Sequence, residues 1–196
     1  MKPTRSVEGV LLFPGAGTDS NHSSLIRVEQ SLHPLPVRRA DFAYRKAGKR
    51  APDRAPILLD AVRSEASDFA FTLKTRTAKL VLGGRSMGGR MCSMAVAGGD
   101  DVAPLPAAGL ILISYPLHPP GNADKLRVEH LPRISVPCLL IQGTRDAFGS
   151  PEELLRWTST IAGPVTHMWV EAKSHDLKDA DDAIAAAVGE WLPTIV

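Results

Sequence analysis

The sequence predicts an α/β protein built on a six-stranded, mostly parallel, doubly wound sheet with helices on both faces. Three observations point there. Short apolar runs alternate with amphipathic stretches along the chain, which is the pattern of parallel strands joined by crossover helices. Runs such as Leu110-Ile111-Leu112-Ile113 are continuously apolar, as strands covered on both faces must be. The chain has 196 residues, 44% hydrophobic and 22% charged. A chain of that length can bury roughly 70% of its unfolded surface in one core, so residues 1–196 are expected to form one domain.

Taken in order, the candidate strands are 7–13, 37–43, 79–83, 109–114, 137–142 and 166–170. Helices are expected at about 20–32 and 56–71, and after Gly88, where Met91-Cys92-Ser93-Met94-Ala95-Val96 is helix-compatible. Ser150-Pro151-Glu152-Glu153 reads as a capping box, with a hydroxyl at the N-cap, proline at the first helical position and a carboxylate three residues after the cap. Leu154, Trp157, Thr158 and Ile161 follow at spacings of three and four. Ala180, Ile184, Val188 and Trp191 mark a last helix, which Pro193 is expected to stop. The basic stretch 44–54 is most simply a solvated loop.

Composition narrows the partners. With 23 basic and 21 acidic residues the formal charge is only +2 and no run concentrates it, so no nucleic-acid partner is expected. No stretch approaches the ~20 apolar residues of a membrane span, and the run after Val10 is cut short by Pro14 and Gly15. Cys92 and Cys138 match no ligand spacing and read as small core residues in a reducing, cytoplasmic compartment. Neither a metal nor a cofactor is implied, and oligomeric state leaves no signal.

In doubly wound sheets ligands sit at the carboxyl ends of the strands. After the third strand stands Gly84-Arg85-Ser86-Met87-Gly88, a G-x-S-x-G pattern between an apolar strand and a helix. The turn is so tight that side chains two residues either side of the serine would clash. The serine is held strained at a helix N-terminus, with its hydroxyl above the sheet. A phosphate-binding loop is the competing interpretation, and it fails because Gly89-Arg90 stands where lysine and a hydroxyl residue are required.

A serine hydroxyl needs a base, and the base needs a carboxylate to hold its tautomer. In the order serine, acid, histidine, Asp146 follows the fifth strand by four residues and His175 the sixth by five. Asp124 is the rival acid and Asp176 an adjacent one. His22 and His33 precede the serine, His130 lies in a polar stretch and His167 sits within a strand. The oxyanion would be held by the amide of Met87 and by one from Pro14-Gly15-Ala16-Gly17, with Ala16 the favoured donor. That loop also carries a weak dinucleotide-binding signal, but Ser20 stands where a third glycine is needed.

These residues, in this order over nearly the whole chain, resemble the α/β-hydrolase superfamily. Phe13-Pro14-Gly15-Ala16-Gly17, Gly83-Gly84-Arg85-Ser86-Met87-Gly88-Gly89-Arg90, Tyr115-Pro116-Leu117-His118-Pro119-Pro120-Gly121 and Gln142-Gly143-Thr144-Arg145-Asp146 are similar to a narrower group of small, lidless hydrolases. That group is related to the dienelactone hydrolases and to the hydrolase-like domain of the testis-expressed and NSL-complex proteins. The resemblance implies a minimal fold lacking the superfamily's first two strands, with sheet order 2-1-3-4-5-6. Dienelactone hydrolases proper use cysteine where this chain has Ser86, so their substrate is not carried over.

The expected activity is hydrolysis of small ester-like or thioester substrates through Ser86, Asp146 and His175. The 22 residues between Ser114 and Pro137 are too few for a cap domain, so an open, shallow site is expected, lined by Tyr115, His118 and Phe148. His118 is also placed to make a local hydrogen bond in a proline-rich turn. The alternative is a catalytically silent interaction module on the same fold.

Overall fold

The computed structural model describes residues 6–99 and 101–195. Its sheet has the order β2-β1-β3-β4-β5-β6, with β1 (Gly9–Phe13), β2 (Val37–Arg39), β3 (Leu80–Arg85), β4 (Gly109–Ile113), β5 (Cys138–Gly143) and β6 (Val165–Val170). All five pairings are parallel. This is the expected minimal α/β-hydrolase architecture.

The four inner strands are buried at every position, which their unbroken apolar runs require. Side chains alternate across the sheet. Leu11, Phe13, Leu82, Leu112 and Leu140 face α3 (Ala55–Thr72), α4 (Met87–Ala97) and α5 (Pro151–Thr158), meeting Leu58, Val62, Met91 and Leu154. Val10, Leu12, Val81, Ile111 and Ile141 face the other layer, α1 (Ser23–Leu32) and α6 (Asp181–Trp191), and pack on Leu25, Val28, Ile184 and Trp191. Each such Leu or Ile contributes roughly 1.5–3 kcal/mol by leaving water.

The local signals at helix ends act as expected. Ser150 Oγ accepts from the Glu153 amide at 3.3 Å while Glu153 Oε2 accepts from the Ser150 amide at 2.9 Å, closing the capping box. The last helix gives way at Trp191 to a 3-10 turn over Leu192–Ile195 that contains Pro193.

Two segments differ from expectation. The second strand ends at Arg39, and residues 44–54 are not wholly a solvated loop: Ala43–Lys46 forms a short helix, α2. Tyr44 is 1% exposed, in an aromatic row in which Phe13 stacks on Phe42 at 4.8 Å and Phe42 on Tyr44 at 6.3 Å. The flanking Arg45, Lys46, Lys49 and Arg50 concealed it, since the burial of one aromatic outweighs the solvation preference of its neighbours only once the core exists.

Candidate active site

The turn from β3 into α4 carries the site. Ser86 stands between them with φ 46° and ψ −115°, a conformation that costs roughly 1–3 kcal/mol and persists because its surroundings over-determine it. Its amide donates to the Ile113 carbonyl at 2.8 Å. Glycine is required on either side: a Cβ at Gly84 would lie 2.0 Å from the Phe13 carbonyl oxygen, and one at Gly88 2.5 Å from the same atom. Gly84 also has φ 148°, a region most side chains avoid.

Two later strands bring the other residues to this point. His175 Nε2 lies 2.9 Å from Ser86 Oγ, and His175 Nδ1 lies 2.8 Å from Asp146 Oδ2. A carboxylate only accepts, so Nδ1 carries the proton and the neutral ring leaves Nε2 to accept from the serine hydroxyl. The Asp146 side chain is fully buried and His175 a quarter exposed. Neither rival acid is bonded to the His175 ring. Asp124 is exposed. Asp176 is engaged by Ser174 Oγ and the Lys178 amide, hydrogen bonds that hold its carboxyl below the usual range.

Residues the sequence did not single out hold this arrangement. Gln142 donates to Asp146 Oδ2 at 2.6 Å and accepts from the Tyr115 amide at 2.7 Å, while the Phe148 amide donates to Asp146 Oδ1 at 2.8 Å. Arg85, 6% exposed, donates to the carbonyls of His175 and Asp176 at 3.3 and 2.8 Å and so anchors the loop that presents the imidazole. The available signal was a polar residue interrupting an apolar strand: Gln142 in β5 and Arg85 at the end of β3 are both out of place for packing alone.

The two expected amide donors sit on well-anchored peptides. The Gly15 carbonyl accepts from the Thr18 amide at 3.2 Å, which fixes the peptide whose N–H belongs to Ala16. The Ser86 carbonyl accepts from the Arg90 amide at 3.0 Å, which aims the Met87 N–H the opposite way, out of the start of α4. Tyr44 Oη donates to the Ala16 carbonyl at 2.9 Å, so the unexpected helix α2 braces this loop.

Ser86, His175, Ala16 and Met87 line a cavity of about 670 Å³. Pro52 and Asp53, from the stretch read as solvated, and Leu58 of α3 supply part of its wall. Phe148 lines it too, its ring 4.0 Å from that of His175 and stacked at 28°. Tyr115 and His118 do not line it, which corrects the expectation for both. Tyr115 is turned into the core with Oη donating to the Arg127 carbonyl at 3.2 Å, because its hydroxyl finds a buried acceptor there. His118 is bound to the Pro119 carbonyl at 2.9 Å and faces Glu153 at 3.4 Å, while its amide holds the Phe148 carbonyl.

A second serine–histidine pair lies beneath. Ser93 Oγ is 2.8 Å from His130 Nε2, but it also donates to the Arg90 carbonyl at 2.8 Å, so the imidazole is the donor and no carboxylate orients it. Burial above all, with the nearby charges of Arg90 and Arg133, pushes the His130 pKa down from 6.5 to about 4. The unfolded chain therefore binds more protons than the folded one between those values, and stability falls as pH drops through that window. The contribution is roughly 3 kcal/mol when fully lost. In urea titrations from pH 7 to 4, His130→Gln should show a shallower loss of stability than the wild type.

Burial also pushes both thiols up, that of Cys138 to about 12, so neither is a nucleophile. Among the described residues no cluster of three or more His, Cys, Asp or Glu could hold a metal ion, and no helix is long and apolar enough to cross a membrane.

A parallel sheet of this order with a strained serine between β3 and α4 defines an α/β hydrolase. The model of the alpha/beta hydrolase domain family matches residues 7–186, and the chain belongs to that family. Solved structures with a similar fold include Est1E from Butyrivibrio proteoclasticus, at 15% identity and a TM-score of 0.73 over 99% of this chain and 90% of that one. The esterase Est2 from Thermogutta terrifontis, solved with propionate, is similar at 19% identity and a TM-score of 0.71, over 100% and 86%. The type II thioesterase BorB from the borrelidin biosynthetic cluster is similar at 16% and 0.67, over 97% and 94%.

Proposed function

We propose that this protein is a serine hydrolase that cleaves small ester or thioester substrates through an acyl-enzyme. One observation carries the proposal: the unbroken hydrogen-bonded chain Ser86–His175–Asp146, opening on a cavity from a serine with positive φ. His175 Nε2 takes the proton from Ser86 Oγ as the oxygen attacks the substrate carbonyl. The carbonyl oxygen becomes an oxyanion held by the amides of Met87 and Ala16, whose peptides are fixed before the substrate arrives. Asp146 stabilises the imidazolium, which then protonates the leaving alcohol or thiol. Water, deprotonated by the same ring, releases the acyl group.

Phe148 would keep the imidazole ring in place and shield one side of the reacting carbonyl. That Est1E has been solved with ferulic acid and Est2 with propionate supports an acyl-transfer reading, and BorB extends it to thioesters. The unbridged, buried Cys92 and Cys138 are consistent with a cytoplasmic setting.

A fluorophosphonate probe tests the reading directly. One adduct should form per chain, map to Ser86 by peptide mass spectrometry, and be absent from Ser86→Ala. A folded protein that takes no label and turns over no short-chain aryl ester is an interaction module instead.

A further inference from the structure

Three arginines reach the cavity beside Ser86, and they are not alike. Arg85 is spent on the His175 and Asp176 carbonyls. Arg90, one helical turn beyond Ser86 on α4, and Arg127, from the segment joining β4 to β5, also line the cavity, yet among the described residues their guanidinium groups make no such bonds. Among the described residues neither has a carboxylate within ion-pair distance. Arg90 Nε is buried with no acceptor in the protein. Burial foremost lowers the Arg90 pKa, with Tyr115 and Glu129 opposing that shift and the charge of Arg127 adding to it.

Leaving a buried guanidinium donor unmatched is unfavourable, and a second cation lining the same cavity adds to that cost. Such a pair is stable to keep only if something else requires it. Planar guanidinium groups match a carboxylate through paired N–H donors. The charge count indicates which anion. Asp53 and Asp176 line the same cavity, so a dianionic phosphate would face two carboxylates as well as the arginines. A single negative charge is the better fit. Leu58 and Met91 supply apolar wall for a short methylene chain.

We propose that Arg90 and Arg127 form a carboxylate-binding subsite, and that the substrate is a hemi-ester or hemi-thioester of a short dicarboxylic acid. The inference rests on the serine hydrolase reading of Ser86. The chemistry is unchanged: the Ser86 Oγ–acyl bond forms, the ester C–O or C–S bond breaks, and the serine proton passes through His175 to the leaving group. The distal carboxylate takes no part beyond anchoring, and water then releases the free dicarboxylic acid.

The test compares 4-nitrophenyl hemiglutarate with the neutral 4-nitrophenyl valerate. Wild-type kcat/KM should favour the hemiglutarate by tenfold or more, and added salt should erode that advantage as it screens the charges. Arg90→Gln and Arg127→Gln should each lower the hemiglutarate-to-valerate ratio at least tenfold, chiefly through KM, while Arg90→Lys and Arg127→Lys retain part of it. Glutarate binding to Ser86→Ala, read by calorimetry, isolates the subsite from the chemistry and should be lost in Ser86→Ala/Arg90→Gln.

Glutarate binding that depends on Arg90, in a protein that hydrolyses no ester, would uphold the subsite and sink the hydrolase reading. Turnover of both esters with no preference, and a ratio unmoved in the Gln variants, would overturn the subsite and leave the hydrolase reading standing. Preference for an otherwise matched 4-phosphonobutanoate ester over the hemiglutarate would overturn the assignment to a carboxylate.

Discussion

Ser86→Ala is expected to lower kcat/KM for a short-chain aryl ester by about 10⁵–10⁶, leaving only the residual acceleration that bound and polarised substrate retains. The size follows from what is removed. Without Oγ no acyl-enzyme can form, and His175 Nε2, 2.9 Å from that oxygen in the wild type, has no nucleophile to deprotonate. The fold should be unharmed, because the hydrogen bonds that place Ser86 are made by its backbone, from its amide to Ile113 and to its carbonyl from Arg90. Circular dichroism and the denaturation midpoint should match the wild type. Loss of less than tenfold in a folded protein would exclude Ser86 as the nucleophile.

Asp146→Asn should cost about 10⁴ in kcat at neutral pH with the fold retained. Asp146 Oδ2 accepts from both Gln142 Nε2 and His175 Nδ1. An asparagine that keeps its carbonyl on the Phe148 amide turns its NH₂ toward those two donors. His175 relieves the conflict by moving its proton to Nε2, which then points a hydrogen at Ser86 and cannot take one away. The acid at this position therefore sets a tautomer as well as stabilising a charge. Labelling of Ser86 by the fluorophosphonate should slow in parallel, since it needs the same base. Unimpaired labelling would show that another group activates the serine.

Much of this arrangement was legible in the chain itself, for identifiable reasons. Leu80 to Arg85 followed by Ser86, Met87 and Gly88 announces a strand, a forced turn and a helix, because glycine is the residue that lets two backbones pass within contact of Phe13. Asp146 and His175 stand out in the sequence because parallel strands deliver their following loops to one edge of the sheet, and there the two side chains meet. Gln142 and Arg85 were missed as supports because their partners, at Tyr115 and at the His175 loop, are distant in sequence. Tyr115 and His118 were misplaced for a related reason: residues just after a strand can point into the cavity or back into the core. Their own hydrogen-bond acceptors decided between the two.

The sequence by itself determined the layers, the parallel pairing and the turn that holds Ser86, and it marked Asp146 and His175 as the candidate acid and base, since each depends on local periodicity, turn sterics or chain order. Only the tertiary structure decided which side chains surround them. Helix α2 bracing Ala16, the wall from Pro52 to Leu58, and the convergence of Arg90 and Arg127 beside Ser86 all join segments far apart in the chain. A guanidinium's role depends on whether a partner lies within about 3 Å, and no local pattern records that distance.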